Sequence, residues 1–179
     1  KRDTESAYSL LLRALFSAGQ YQQVEAVAEA AIDASGADYN VYVPIQNALG
    51  ALGKQDALKN VRQRAIQAFE AHLGQVPEDA RARILLSGAY AYDGRIDEAT
   101  READLAMVLR PNDANVHYNA ACTFCTMSKK AEAMAALGRA WKAGFRDPDW
   151  VRRDPDLNLL HGEPEFEKLY PPGAEEAGQ

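Results

Sequence analysis

The segment Leu86-Ser87-Gly88-Ala89-Tyr90-Ala91-Tyr92-Asp93-Gly94-Arg95-Ile96 decides the fold, because a glycine separates two amphipathic stretches. On both sides of the glycine, apolar residues recur at helical spacing, at Leu86, Tyr90, Ala99, Ala103 and Ala106. A glycine at a helix end tolerates the left-handed conformation that terminates the helix, so another helix can begin two or three residues later. The segment therefore predicts a helical hairpin whose corner is Gly94.

The same pattern recurs along the chain. Gly53 lies 34 residues after Gly19, and Ser128 takes the place of the glycine 34 residues after Gly94. The interval from Gly53 to Gly94 is 41 residues, which is seven more than the unit. Seven residues make nearly two helical turns, so we expect an overlong second helix there, running through Leu73 with its apolar face unrotated. The repeats are predicted at residues 5–38, 39–79, 80–113 and 114–147, which gives eight helices.

These residues resemble the tetratricopeptide repeat family, whose 34-residue unit has a leucine and an aromatic residue in its first helix, glycine at the turn, alanines in its second helix and a closing proline. The third copy carries the resemblance through Leu86, Tyr90, Gly94, Ala99, Ala106 and Pro111. Alanines let two helices approach closely, and a bulky Tyr90 or Phe124 fills the space between neighbouring repeats. The resemblance implies an all-α, right-handed superhelix (a solenoid) of about four repeats.

Residues 148–170 are predicted to form a capping segment over the last repeat. Asp147-Pro148 and Asp154-Pro155 each place an aspartate cap ahead of a proline at the first helical position. The apolar residues of the segment are Trp150, Leu157, Leu160, Phe166 and Leu169. We expect one domain over residues 1–170 and a disordered tail over 171–179. The region 144–170 also resembles the end of repeat arrays appended to bacterial kinases, cyclases and transcription regulators.

Composition narrows the classes of partner. The chain is 47% hydrophobic and 26% charged, and its formal net charge is −6. Nucleic acid is disfavoured as a partner, since no dense group of Lys and Arg provides a basic stripe. No apolar run approaches the roughly 18 residues that cross a bilayer, so membrane insertion is not expected. Two cysteines fit a reducing compartment, and we expect the cytoplasm. A start at Lys1-Arg2 without methionine suggests a piece of a longer protein.

No catalytic or metal-binding set is visible in the sequence. Cys122 and Cys125 form the only CxxC, but a zinc site needs about four ligands and His72, His117 and His161 are scattered. A redox pair prefers a helix N-terminus, whereas these cysteines fall inside a predicted helix. The aspartates at positions 147, 149, 154 and 156 lack the pattern of a calcium loop, and helix capping explains them better. We therefore expect no cofactor, no metal and no enzymatic activity.

The candidate binding residues follow from the resemblance, which implies that the first helix of each repeat lines a concave groove. Register assigns these residues to the groove: Ser9, Arg13, Val43, Asn47, Arg81, Ile84, Tyr92, Asn115, Tyr118, Asn119 and Cys122. Arginine, tyrosine and asparagine are residue types suited to recognising backbone amides, carboxylates and aromatic faces of a peptide.

The expected function is therefore that of a protein-interaction module that binds a peptide or protein partner in this groove. Some proteins of this family grip a C-terminal carboxylate with a two-carboxylate clamp. Here Ser9 and Arg13 stand where its first lysine and first asparagine would be, so the full clamp is absent. The alternative is a structural module that self-associates, for example as a homodimer, and leaves the groove empty.

Overall fold

The computed structural model describes residues 2–36 and 38–172, and the side chains of the first helix from Ala7 onward. Of the tail predicted over 171–179, residues 173–179 lie outside these residues. Within them the fold is all-α, with no strand. Its α-helices are α1 (Arg2–Ser17), α2 (Tyr21–Ser35), α3 (Tyr42–Ala51), α4 (Gln55–Gln75), α5 (Ala80–Tyr92), α6 (Ile96–Leu109), α7 (Ala114–Thr126), α8 (Lys130–Lys142), α9 (Pro148–Arg153) and α10 (Pro164–Leu169). Two 3₁₀ helices cover Tyr39–Val41 and Pro155–Leu160.

The helices α1 to α8 confirm the predicted pairs, and they fall into two compact units, Lys1–Pro77 and Glu78–Gln179. The boundary between the units lies close to the predicted junction of the second and third repeats. Each unit holds two helix pairs.

Unit 1 contains the pairs α1–α2 and α3–α4. The first helix of the second pair, α3, packs against both helices of the first pair. Leu12, Val24, Ile45 and Phe69 are fully or almost fully buried between these helices. The overlong helix expected after Gly53 is confirmed, because α4 has 21 residues whereas α2 has 15.

Unit 2 contains the pairs α5–α6 and α7–α8, followed by a capping segment made of α9, the 3₁₀ helix Pro155–Leu160 and α10. The alanines expected to allow close helix packing, among them Ala99 and Ala133, have no exposed surface. The hydroxyl of Ser87 donates to the carbonyl of Ala99 at 2.7 Å, which fixes α5 against α6 without leaving a buried hydroxyl unsatisfied. A second polar link joins these helices, since Arg83 forms an ion pair with the buried carboxylate of Glu102.

The helix corners explain why the spacing of the glycines predicted the repeat. Gly19, Gly53 and Gly94 have φ values of 70°, 68° and 77°, and Ser128 adopts 59° at the fourth corner. After each of these residues the next backbone N–H donates to a carbonyl five residues earlier in the chain, for example from Arg95 to Tyr90 at 2.9 Å. This is the bond that closes a helix through a left-handed residue. The turn therefore needs a residue that tolerates positive φ, which glycine does at the lowest cost.

The capping segment completes the core of unit 2. Val151, Leu157, Leu160, Phe166 and Tyr170 are all fully buried. The 3₁₀ helix packs on α7 and α8, and α10 packs on α8. Asp147 and Asp154 accept hydrogen bonds from the backbone N–H groups of Trp150 and Asp156 at 2.9 and 3.0 Å, which confirms their predicted role as helix caps.

Among residues 2–36 and 38–172, no helix combines the length and the apolar character that crossing a bilayer would require.

Candidate functional site

The candidate residues of unit 2 divide into an exposed group and a covered group. Arg81, at the start of α5, and Asn115 and Asn119, in the first half of α7, are exposed. Asn115 and Asn119 stand one helical turn apart, and the side-chain amide of Asn119 donates to the carbonyl of Asn115 at 2.7 Å. Arg81 and Asn115 occupy equivalent positions of two first helices that pack side by side. These side chains can offer hydrogen bonds outward to a partner.

Two of the sequence-predicted residues are buried, which corrects their assignment as surface available to a partner. Ile84 is 4% exposed and Tyr118 is 6% exposed. Ile84 belongs to the apolar core of unit 2, so its side chain packs inside the protein. The ring of Tyr118 stacks on Phe145 with a centroid distance of 4.1 Å, and its hydroxyl donates to the carboxylate of Asp154. The capping segment therefore occupies the part of the first-helix surface where Tyr118 was expected to meet a ligand.

Tyr92 and Cys122 also meet the capping segment. The Tyr92 hydroxyl donates to Asp156 at 2.6 Å, although half of the Tyr92 residue surface remains exposed. The thiol of Cys122 lies 3.9 Å from Asp154, at the limit of a weak sulfur hydrogen bond. Three predicted site residues of two helices, Tyr92, Tyr118 and Cys122, thus converge on two aspartates of the 3₁₀ region.

Burial is the main cause of the shifted pKa values of the acidic and thiol groups in this region. Burial raises the pKa of Asp156, and the hydrogen bond from Tyr92 lowers it in part. Burial and the neighbouring carboxylate of Asp154 raise the pKa of the Cys122 thiol well above its ordinary value. Burial similarly raises the pKa of Cys125 to about 12. Both cysteines are therefore protonated thiols at neutral pH, which is the opposite of an activated nucleophile.

In unit 1 the candidate residues also divide by exposure. Arg13 and Asn47 are exposed at equivalent positions of α1 and α3, which pack together. Val43 is half-buried. Ser9 donates its hydroxyl to Asp38, so its polar group already has a partner within the unit.

The pKa of Asp38 reflects that contact. Burial would raise the pKa of Asp38, but hydrogen bonds from Ser9 and Asn40 outweigh it and hold the pKa below its ordinary value. Asp38 is therefore ionised in the folded unit and binds Ser9 as a carboxylate.

Sequence reasoning did not assign Asp154, Asp156 or Trp150 to this surface. The two aspartates were assigned to helix capping, and Asp154 does cap, through one carboxylate oxygen, while its other oxygen accepts from Tyr118. Trp150 was counted as apolar content of the capping segment, yet it is 55% exposed. The signal available in the sequence was a tryptophan placed between the two Asp-Pro caps, at Asp147 and Asp154. In the part of the chain that the structure describes, no group of three or more His, Cys, Asp or Glu could hold a metal ion.

Comparison with known proteins supports the fold. No family model matches the sequence. The chain is 31% identical over 83 residues to a chloroplastic protein of Arabidopsis thaliana, a match that covers 45% of this chain and 25% of that protein. The match therefore spans about a quarter of the length of the curated relative.

Solved structures of the tetratricopeptide repeat protein MamA resemble the chain. The RS-1 ArsTM double mutant of MamA has a TM-score of 0.52 at 18% identity, and the match covers 80% of this chain and 76% of the MamA chain. MamA AMB-1 has a TM-score of 0.50 at 17% identity, and that match covers 99% of this chain and 98% of the other. These likenesses show the fold, which is an all-α helical repeat of the tetratricopeptide type.

Proposed function

We propose that this chain is a non-catalytic protein-interaction module that binds a peptide segment of a partner protein. The observation that carries the proposal is the set of exposed hydrogen-bonding side chains, Arg81, Asn115 and Asn119, on the packed first helices of unit 2. Rigid helices hold these groups at fixed spacing, as a surface that recognises the backbone and side chains of a peptide requires. Tyr92 adds a half-exposed aromatic ring at the end of α5.

The capping segment covers one end of this surface and limits where a peptide can bind. Asp154 already contacts Tyr118 and Cys122, and Asp156 accepts from the hydroxyl of Tyr92. A peptide therefore reaches the surface from the side of Asn115 and Asn119. Displacing the capping segment would expose its fully buried leucines and aromatic residues, each of which stabilises the folded unit by roughly 1.5–3 kcal/mol. We therefore place the binding surface beside the capping segment rather than underneath it.

A displayed library of random peptides, panned against the intact chain, tests this proposal. Enriched peptides should bind Arg81→Ala and Asn119→Ala roughly tenfold or more weakly than the parent chain, because each change removes side-chain hydrogen bonds to the ligand. Asn112→Ala is the matched control, since Asn112 is an equally polar, exposed residue of unit 2 outside the candidate set. Failure to enrich any peptide, or equal binding by all the variants, would contradict the proposal.

The second candidate function is self-association, and one observation favours it specifically. Leu10 and Leu11 of α1 are 63% and 42% exposed, and adjacent exposed apolar side chains are a feature of surfaces that associate with other proteins.

A further inference from the structure

The indole of Trp150, in α9, is fixed in position although more than half of the residue is exposed. Its N–H donates to the hydroxyl of Tyr118, and that hydroxyl donates to the carboxylate of Asp154. Among the residues that the structure describes, no other ring and no cation stacks on this indole. Trp150 therefore presents a rigid aromatic surface to water beside a carboxylate.

Two carboxylates connect this ring to a second, half-exposed ring. Asp154 accepts from the backbone N–H of Asp156 at 3.0 Å, and Asp156 accepts from the hydroxyl of Tyr92 at 2.6 Å. The contacts thus follow one another in the order Trp150, Asp154, Asp156 and Tyr92. We call these four residues the cap rim.

The cap rim has unused capacity to accept hydrogen bonds. An ionised carboxylate offers about four acceptor positions. From the described residues, Asp156 receives one side-chain hydrogen bond, at one of its two oxygens. Asp154 receives one hydrogen bond at each oxygen, in addition to the weak contact with the Cys122 thiol. Both carboxylates can therefore accept from a further donor.

The cap rim carries negative charge that the described part of the chain does not neutralise. Neither Asp154 nor Asp156 belongs to an ion pair there. The three arginines nearest in sequence bind elsewhere: Arg146 lies over the ring of Trp141, Arg152 pairs with Glu167, and Arg153 donates to the carbonyl of Asp149. Burial and the neighbouring charge of Asp154 raise the pKa of Asp156, so a bound cation would offset a repulsion that exists in the folded state.

An organic cation suits this surface better than a metal ion. Over residues 2–36 and 38–172, no group of three or more His, Cys, Asp or Glu could hold a metal. Tryptophan is the aromatic residue that attracts a cation to its ring most strongly. Unit 2 already uses such contacts, with Arg95 3.9 Å from the ring centroid of Tyr90 and Arg146 4.5 Å from that of Trp141. The exposed ring of Trp150 therefore matches a basic side chain that comes from a partner.

We infer that the cap rim binds an arginine or lysine side chain of the partner peptide. The basic group stacks on the indole of Trp150 and donates hydrogen bonds to Asp154 and Asp156. Arg81 lies at the opposite end of α5 from Tyr92, so the peptide surface offers opposite charges at its two ends. The inference rests on the proposed function for the ligand being a peptide, and it adds the residue type that this peptide carries beside the capping segment.

An NMR titration of the full chain with two blocked tripeptides tests the site directly. One peptide has a central arginine between glycines, and the other has glutamine in its place. The indole N–H resonance of Trp150, identified by its loss in Trp150→Phe, and the backbone amides of residues 154–158 should shift saturably with the arginine peptide. The glutamine peptide should leave them unchanged. No saturable shift, or an equal shift with both peptides, would overturn the inference.

Two substitutions and a control separate the cap rim from a general attraction of basic peptides to an acidic chain. Trp150→Leu should weaken binding of the arginine peptide roughly two- to fivefold, because the aromatic face is lost. Asp156→Asn should weaken it by about fivefold or more, because it removes a charged acceptor but can still accept from Tyr92. The backbone amides of residues 154–158 report binding in these variants, and circular dichroism checks that each variant is folded.

Asp104→Asn is the matched control, since Asp104 is an exposed carboxylate of α6 outside the cap rim. This control should bind the arginine peptide as the parent chain does. Full affinity in Trp150→Leu or in Asp156→Asn, or equal effects of the two asparagine variants, would overturn the inference.

Arg81→Ala distinguishes this inference from the proposed function. Arg81 and Tyr92 lie about 16 Å apart along α5, whereas an extended tripeptide spans roughly 10 Å. The affinity of the arginine peptide should therefore be the same for Arg81→Ala as for the parent chain, and its loss would overturn the inference. Library peptides that require Arg81, together with a tripeptide that leaves Trp150 unshifted, would contradict the inference alone. Tripeptide binding at the cap rim of a chain that enriches no library peptide would contradict the proposed function alone.

Discussion

Backbone conformation at single residues decides where each helix pair turns. Gly94 has a φ of 77°, a value that glycine adopts freely and that other L-residues adopt at a cost of roughly 1–2 kcal/mol. An added Cβ at Gly94 would meet no atom within 4 Å, so the cost of a substitution there is conformational rather than steric. Replacing a corner glycine by alanine should therefore destabilise the protein, whereas replacing a glycine inside a helix by alanine should stabilise it.

Gly94→Ala should lower the free energy of unfolding by about 1 kcal/mol, because alanine is strained in the left-handed region. Gly138→Ala provides the comparison in the same unit. Gly138 lies inside α8 and has open space around it, so alanine there should raise stability by roughly 0.5–1 kcal/mol. Urea denaturation measures both changes. Equal effects of the two substitutions would show that left-handed geometry is not what glycine contributes at the corner.

Ser128 offers the reverse experiment, because it holds a φ of 59° with a side chain present. Ser128→Gly should stabilise the protein by about 1 kcal/mol, since it removes the strain of the left-handed conformation. Thermal unfolding should show a higher midpoint for this variant. A lower midpoint would mean that the serine side chain contributes more than its backbone conformation costs.

Asp156 should make stability depend on pH. Burial raises its pKa in the folded state above the unfolded value, so the native chain binds more protons between these two values. The contribution of Asp156 to the free energy of unfolding is therefore greatest at pH values below the pKa of the unfolded state, and it is lost as the pH rises through the pKa of the folded state. Asp156→Asn, which can still accept from Tyr92, should raise the thermal midpoint near neutral pH, and the gain should shrink toward about pH 4. A gain that does not change with pH would exclude this titration as the cause.

At the scale of elements, the capping segment acts as part of the core rather than as a surface attachment. Leu157→Ala should cost roughly 2–5 kcal/mol, because Leu157 is fully buried and the change leaves a cavity. Asn158 is the neighbouring exposed residue of the same 3₁₀ helix, and Asn158→Ala should stay within about 0.5 kcal/mol of the parent. Denaturant titration of the two variants distinguishes a core element from a loosely held lid.

The elements could be predicted from the sequence because their signals are local. Corner glycines at 34-residue spacing predicted the helix pairs, and the extra seven residues after Gly53 predicted the length of α4. The burial of Tyr118 could not be predicted from local signals of this kind. Its partner, Asp154, lies 36 residues further along the chain, and only the folded capping segment brings the two together. The register of a repeat indicates which face a residue occupies, but not whether another segment covers that face.

At the scale of the whole molecule, the chain forms two compact units, and unit 2 holds a continuous apolar core that includes its own capping segment. A fragment covering residues 78–172 should therefore fold alone. Circular dichroism should show a helical fragment, and heating should produce one cooperative transition. A fragment without cooperative unfolding would show that the core of unit 2 is insufficient by itself. A matched fragment that ends at residue 147 should unfold at a lower temperature, since it lacks the buried residues of the capping segment.

The extra length of α4 has a consequence for how this sequence tolerates insertions and deletions. Seven residues advance a helix by almost two complete turns, so the apolar side of α4 keeps its direction. A gain or loss of five residues would rotate everything beyond it by more than a third of a circle and would turn Phe69 or Ala65 toward water. Relatives that differ in the length of this helix should therefore differ by about seven residues, and intermediate lengths should be rare among them.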